Sequence, residues 1–161
     1  CLAFLKKIPA GTLLINEHVV QPFRYSAQQI DLMTATLTKR RALLAELLPW
    51  DEPNHGIDER WVRFYPYGCK TKPGQIVHIS LKAFNHSSTS HTDSFALSLP
   101  AGFKAESKTA TLTIPPCTEK QADFNLAVDS SVVPGTYIIT ADVQHGKWDL
   151  RQWTEAIIEV E

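Results

Sequence analysis

The pattern of apolar and polar positions changes character once along the chain, near residue 60. Before that point apolar residues recur at helical spacing; after it they alternate. Leu13-Leu-Ile15 and Val19-Val20 form a short apolar segment that predicts a strand and its continuation, broken at Pro22. Ser26 then opens a helix. Ser26 and Gln29 have the S-x-x-Q spacing of a capping box, in which each side chain satisfies an exposed backbone donor at the helix start. Ile30, Met33, Leu37, Leu44 and Leu48 recur at steps of three, four and seven and define one apolar face. Lys39, Arg40 and Arg41 fall on the solvent side. Pro49 ends this long amphipathic helix, because its ring pushes Leu48 out of the helical region. Residues 49–60 then carry two prolines, a glycine and the acids Asp51, Glu52, Asp58 and Glu59, the composition of a linker.

From Trp61 onward short alternating runs follow one another. Trp61–Tyr67 is a first strand, placed near an edge by Pro66. Gln75–Phe84 alternates cleanly, with Val77, Ile79, Leu81 and Ala83 facing a core. Ser94–Leu99, Phe103–Glu106, Thr109–Ile114, Ala122–Val128, Thr136–Val143 and Glu155–Val160 read as further strands. They are separated by turns at Lys72-Pro-Gly74, Asn85-His-Ser-Ser, Pro100-Ala-Gly102, Pro115-Pro116 and Pro134-Gly135. The expected architecture is mainly β: a seven- or eight-stranded immunoglobulin-like sandwich over residues 61–161, preceded by a strand and one long helix in residues 1–60.

Composition narrows the classes without choosing a chemistry. Apolar residues make up 43% of the 161 residues and charged residues 20%, as in ordinary globular proteins. The net charge of −1 gives no general attraction to nucleic acid or to an anionic membrane. No apolar run is long enough to span a bilayer. The chain therefore reads as soluble, with a lean toward the cytoplasm. Cys1, Cys69 and Cys117 form no C-x-x-C pair, and they read as free buried thiols in preference to a Cys69–Cys117 disulfide. The opening Cys1–Ala10 lacks the order of a signal peptide and reads like the interior of a domain, which suggests a piece of something longer.

Residues 72–161 contain Lys-Pro-Gly74, a long strand ending at Asn85, Leu-Pro-Ala-Gly-Phe103 and Val-Pro-Gly-Thr-Tyr137. This series resembles the seven-stranded NEW3-type accessory sandwiches that stand beside catalytic domains of glycosidases. Every one of these elements serves the backbone or the packing. Gly74, Gly102 and Gly135 allow tight turns, Asn85 suits a left-handed residue, and Tyr137 offers a packed ring with a bonded hydroxyl. The resemblance therefore speaks to fold and not to ligand.

Gly11-Thr-Leu-Leu-Ile-Asn-Glu-His18, the helix from Ser26 to Leu48, and the stretch to Trp61-Val-Arg-Phe-Tyr-Pro-Tyr67 resemble the closing part of metallo-β-lactamase superfamily hydrolases that carry a C-terminal sandwich. That resemblance implies that His18 is a strand-end metal ligand. It also implies that zinc or a similar ion belongs to an upstream catalytic domain of the same polypeptide. The usual Gly-His-Gly is Glu17-His18-Val19 here, and the H-x-H-x-D-H cluster of that family is absent. One histidine cannot hold a catalytic zinc, so no cofactor is expected in this chain itself. Read on its own, His18 is a strand-end histidine bonded to nearby backbone.

Two further readings compete with this one. Trp148 and Trp153, in the connection to the last strand, are ligand-binding candidates that could stack on sugar rings in a carbohydrate- or polymer-binding module; the alternative is that they pack over the sandwich end. The apolar helix face could instead pair with a second copy in a dimer. The loop Asn85-His-Ser-Ser-Thr-Ser-His-Thr-Asp93 offers His86, His91 and Asp93 to a divalent ion, but reads more simply as solvated. The linker acids imply no cleft, so they do not make a glycosidase pair.

Overall fold

The computed structural model describes residues 2–9, 11–15, 21–51 and 56–161, arranged in two units, Cys1–Ile57 and Asp58–Glu161. The first unit contains a short helix α1 (Leu2–Leu5) and the long helix α2 (Ala27–Leu47). The capping box forms as the spacing requires: the Gln29 backbone N–H donates to Ser26 Oγ at 3.2 Å, and the Ser26 N–H donates to Gln29 Oε1 at 2.8 Å. Leu48 caps the other end, its N–H donating to the Leu44 carbonyl. The helical stripe is half-buried at Ile30 and Leu44 and buried at Leu48, but Met33 and Leu37 are exposed. Leu32 and Leu43 are also exposed, on the side away from the stripe. In place of a strand over Leu13–Ile15 there is an isolated bridge between Leu14 and Phe23. Val19, Val20 and His18 lie outside the described residues.

The second unit is a two-sheet sandwich of nine strands. These are β1 (Val62–Tyr65), β2 (Gly68–Thr71), β3 (Ile76–Phe84), β4 (His91–Ser98), β5 (Phe103–Ala105), β6 (Thr109–Ile114), β7 (Glu119–Val128), β8 (Gly135–His145) and β9 (Trp148–Val160). One sheet has the order β1-β3-β7-β5, the other β2-β9-β8-β4-β6. The single strand expected over Trp61–Tyr67 is thus two. The chain leaves the first sheet after Tyr65, passes the cis Tyr65–Pro66 peptide, and joins the second sheet as β2, parallel to β9. Gly-Cys-Lys-Thr lacks apolar alternation, which is why β2 escapes a sequence reading. The stretch from Trp148 to Trp153, expected as a connection, is the first half of β9 and pairs with the end of β8.

The core is the inward set of every strand. Val77, Ile79, Leu81 and Ala83 of β3 and Phe124, Leu126 and Val128 of β7 face Phe95 and Leu97 of β4, Ile139, Ala141 and Val143 of β8, and Ala156, Ile158 and Val160 of β9; all are buried. Each large side chain in that set contributes about 1.5–3 kcal/mol on leaving water. At Gly102 (φ +84°) an added Cβ would sit 2.4 Å from Val132 Cγ2, so the turn needs glycine for both conformation and space. Gly135 differs from expectation. It takes no left-handed conformation and opens β8 opposite Val160.

Candidate functional site

Period-two geometry places His91 and Asp93 on the same face of β4, the face that turns inward at Phe95 and Leu97. On the neighbouring strand the inward series Ile139, Ala141, Val143 continues to His145. Asp93 and His145 are direct cross-strand partners. A carboxylate is therefore fixed between two imidazoles by register alone. His145 Nδ1 lies 2.7 Å from Asp93 Oδ1, and His91 Nε2 lies 3.1 Å from Asp93 Oδ2. Asp93 has 0% exposure and His145 8%, while His91 is half-buried. A carboxylate removed from water this completely needs strong partners. Among the described residues, the side chains bonded to Asp93 are these two histidines.

Aromatic rings hold the imidazoles in place. The rings of His91 and His145 meet edge to face with centroids 4.9 Å apart, and Trp61 meets His145 at the same centroid distance. Trp61 is fully buried and lies 6.5 Å from Trp153. The indole N–H groups of Trp61 and Trp153 are buried and have no hydrogen-bond acceptor among the described residues.

The other sequence candidates lie apart from this cluster. Trp153 is half-buried beside Trp61, and Trp148 is half-buried with Lys147 Nζ 5.1 Å from its ring centroid. His86 turns to Asp58, with Nε2 2.8 Å from Oδ2, so His86 and His91 do not share a site. His18 lies outside the described residues. Asn85 is fully buried and is not left-handed. Its amide nitrogen donates to the carbonyls of Thr89, Ile114 and Pro115, and its Oδ1 accepts from the Ser87 N–H and hydroxyl. It ties the β3–β4 loop to the end of β6. Tyr137 behaves as expected: its hydroxyl donates to the Val133 carbonyl at 2.8 Å and its ring packs 5.1 Å from Phe103.

Both described cysteines are free; Cys117 is exposed and Cys69 half-buried, where burial pushes its thiol above the usual range. A thiol raised in this way is a poor nucleophile. At the surface, Lys70 pairs with Glu161 and Glu159; hydrogen bonds to these carboxylates raise the Lys70 ammonium, and the Lys70 bond lowers Glu161. Hydrogen bonds from the Ser131 N–H and hydroxyl hold the Asp129 carboxyl below its usual range.

The His–Asp–His cluster is within reach of the sequence by one signal. Continuing the inward alternation of Ile139, Ala141 and Val143 one step further arrives at His145, and stepping back from Phe95 arrives at Asp93 and His91. The polar loop before His91 masks it.

Strand number, two-sheet order and Greek-key crossovers define an immunoglobulin-like β-sandwich. Residues 71–146, from the end of β2 to the turn after β8, match the family model described as NPCBM-associated, NEW3 domain of alpha-galactosidase. That segment is thus similar to a NEW3 sandwich over just under half of the chain. No curated protein matches the chain. Among solved structures, the native E. coli alpha-2-macroglobulin is similar at 15% identity and a TM-score of 0.50, covering 62% of this chain and 6% of that one. WR4, a C. elegans MSP family member, is similar at 9% identity and a TM-score of 0.45, covering 62% of this chain and 95% of that one. The CARDB domain of a Pyrococcus furiosus protein is similar at 16% identity and a TM-score of 0.46, covering 62% and 85%. At 15% identity the alpha-2-macroglobulin likeness bears on the fold alone. Among the described residues no helix is long and apolar enough to cross a membrane.

Proposed function

We propose that the sandwich is a non-catalytic accessory module of a larger enzyme, and that this enzyme is a metal-dependent hydrolase of the metallo-β-lactamase type. The observation that carries the accessory reading is the NEW3 match over residues 71–146. The hydrolase reading rests on the resemblance of Gly11–His18, the capped helix and Trp61–Tyr67 to the closing part of that superfamily. In this reading zinc or a similar ion sits in the catalytic domain, with His18 as one ligand. Met33 and Leu37 on the apolar stripe of α2 are exposed, and the catalytic domain is the surface that covers them. A second reading, pairing of α2 with a second copy, draws on the same stripe of Ile30, Met33, Leu37, Leu44 and Leu48.

The purified chain, supplied with zinc or manganese and offered chromogenic esters, phosphodiesters, β-lactams and glycosides, is expected to turn over none of them. Turnover by the chain alone would overturn the accessory reading. An upstream coding sequence without a His/Asp ligand cluster would remove the hydrolase. Sedimentation at low micromolar concentration separates the two covers for α2: a monomer sets aside helix pairing.

A further inference from the structure

We propose that His91, Asp93 and His145 form a binding site for a divalent transition-metal ion of the zinc class, which staples β4 to β8 at one end of the five-stranded sheet. This inference does not rest on the accessory reading, and it runs against the expectation that the chain holds no metal of its own.

Donor geometry is the first support. One ligand atom from each residue lies within 4.8 Å of the others. A four-coordinate zinc with bonds of about 2.0–2.2 Å needs donors roughly 3.3 Å apart. The nitrogen–oxygen separations, 2.7 Å to Asp93 Oδ1 and 3.1 Å to Oδ2, need to open by about 0.2–0.6 Å, and the widest donor separation, up to 4.8 Å, needs to close by about 1.5 Å, a change within reach of side-chain rotation.

Chemistry of the donor set is the second. Two imidazoles and one carboxylate suit zinc, cobalt and nickel; calcium and magnesium call for more oxygen ligands than this site offers. Asp93 is a fully buried carboxylate between two imidazoles, and a dication bound by all three groups supplies the charge partner such a carboxylate calls for.

Rigidity is the third. Asp93 is paired in the sheet with His145 on one side and Leu112 on the other, and His91 faces Ile114. The ligands therefore sit on strand backbone and not on loops, which is the condition for a preorganised site. Half-buried His91 forms the rim through which an ion and its water would arrive. On binding, the ring nitrogens that now face Asp93 become ligands, and each neutral imidazole keeps its one proton on the other nitrogen. Three protein ligands leave a fourth position for water.

The test uses the full chain, stripped with EDTA and titrated with cobalt(II) and then zinc. The expected result is a visible cobalt d–d band that saturates at one ion per chain. No sulfur charge-transfer band should accompany it, which separates the site from the three cysteines, Cys1, Cys69 and Cys117. Zinc in hundredfold excess over its dissociation constant should displace the cobalt and raise Tm by about 5–15 °C. His145→Gln and His91→Gln should each abolish both signals. His91 is at the rim, so the His91→Gln protein should keep its stripped-state Tm within a few degrees and remains decisive if His145→Gln fails to fold. No saturable band, a band with thiolate character, or a zinc shift that survives His91→Gln would each overturn the proposal. Metal binding is read here without turnover, so its failure is distinct from failure of the accessory reading.

Discussion

Two pairs in the sandwich join the same residue types at nearly the same distance: Asp93–His145 at 2.7 Å and Asp58–His86 at 2.8 Å. They differ in where they sit. The side chains of the first pair are 0% and 10% exposed, those of the second 38% and 28%. At the rim, water competes for both groups and screens their attraction. Between the sheets water is excluded, so the carboxylate depends on its imidazoles. Residue type and distance therefore do not rank a polar pair; burial does.

The largest effect is expected where that dependence is broken outright. Asp93→Ala in metal-free protein should cost about 3–4 kcal/mol of unfolding free energy, because it removes the carboxylate that both inward-facing imidazoles bond. Asn85→Ala should come next, at roughly 2–3 kcal/mol, since the carbonyls of Ile114 and Pro115 and the Ser87 N–H lose these bonds together. Urea denaturation at constant m-value measures both.

A sharper comparison comes from double-mutant cycles on the two pairs. The Asp93/His145 coupling should be about 1.5–3 kcal/mol, and the Asp58/His86 coupling below about 1 kcal/mol. Equal couplings would remove burial as the deciding variable.

The smallest effect belongs to Asp129, whose carboxylate accepts two hydrogen bonds from Ser131 at the surface. Its folded-state pKa is lowered, so the stabilisation it gives is present above the ordinary carboxylate value and is lost as pH falls through the lower folded value. Asp129→Ala should therefore lower Tm slightly at neutral pH and not at all in strong acid.

The legible part of the molecule is the part where one local rule acts alone. Val77, Ile79, Leu81 and Ala83 announce β3 because one face is core and the other solvent. Ser26 and Gln29 announce α2 because a capping box is a contact between neighbours in sequence. Legibility fails where a long-range contact overrides local composition. Asp93 lies in a run of polar residues that look solvated, and its burial is decided by β8, several strands further along the chain. Gly68–Thr71 carries no alternation because its place is fixed by the β9 edge it joins. Asn85 stands out in the sequence as a residue suited to an unusual backbone conformation, whereas its role in the fold is to satisfy carbonyls at the end of β6.

The parallel pairing of β2 with β9 has a mechanical consequence. β2 lies near the start of the sandwich and β9 ends at Val160, so tension applied through the two ends drags these strands in opposite directions along their length. The bonds from Ile157 N–H to the Tyr67 carbonyl and from Glu161 N–H to the Thr71 carbonyl, with the ladder between them, would bear the pull side by side and not one after another. Separating β2 from β9 by such a pull would require these bonds to break together.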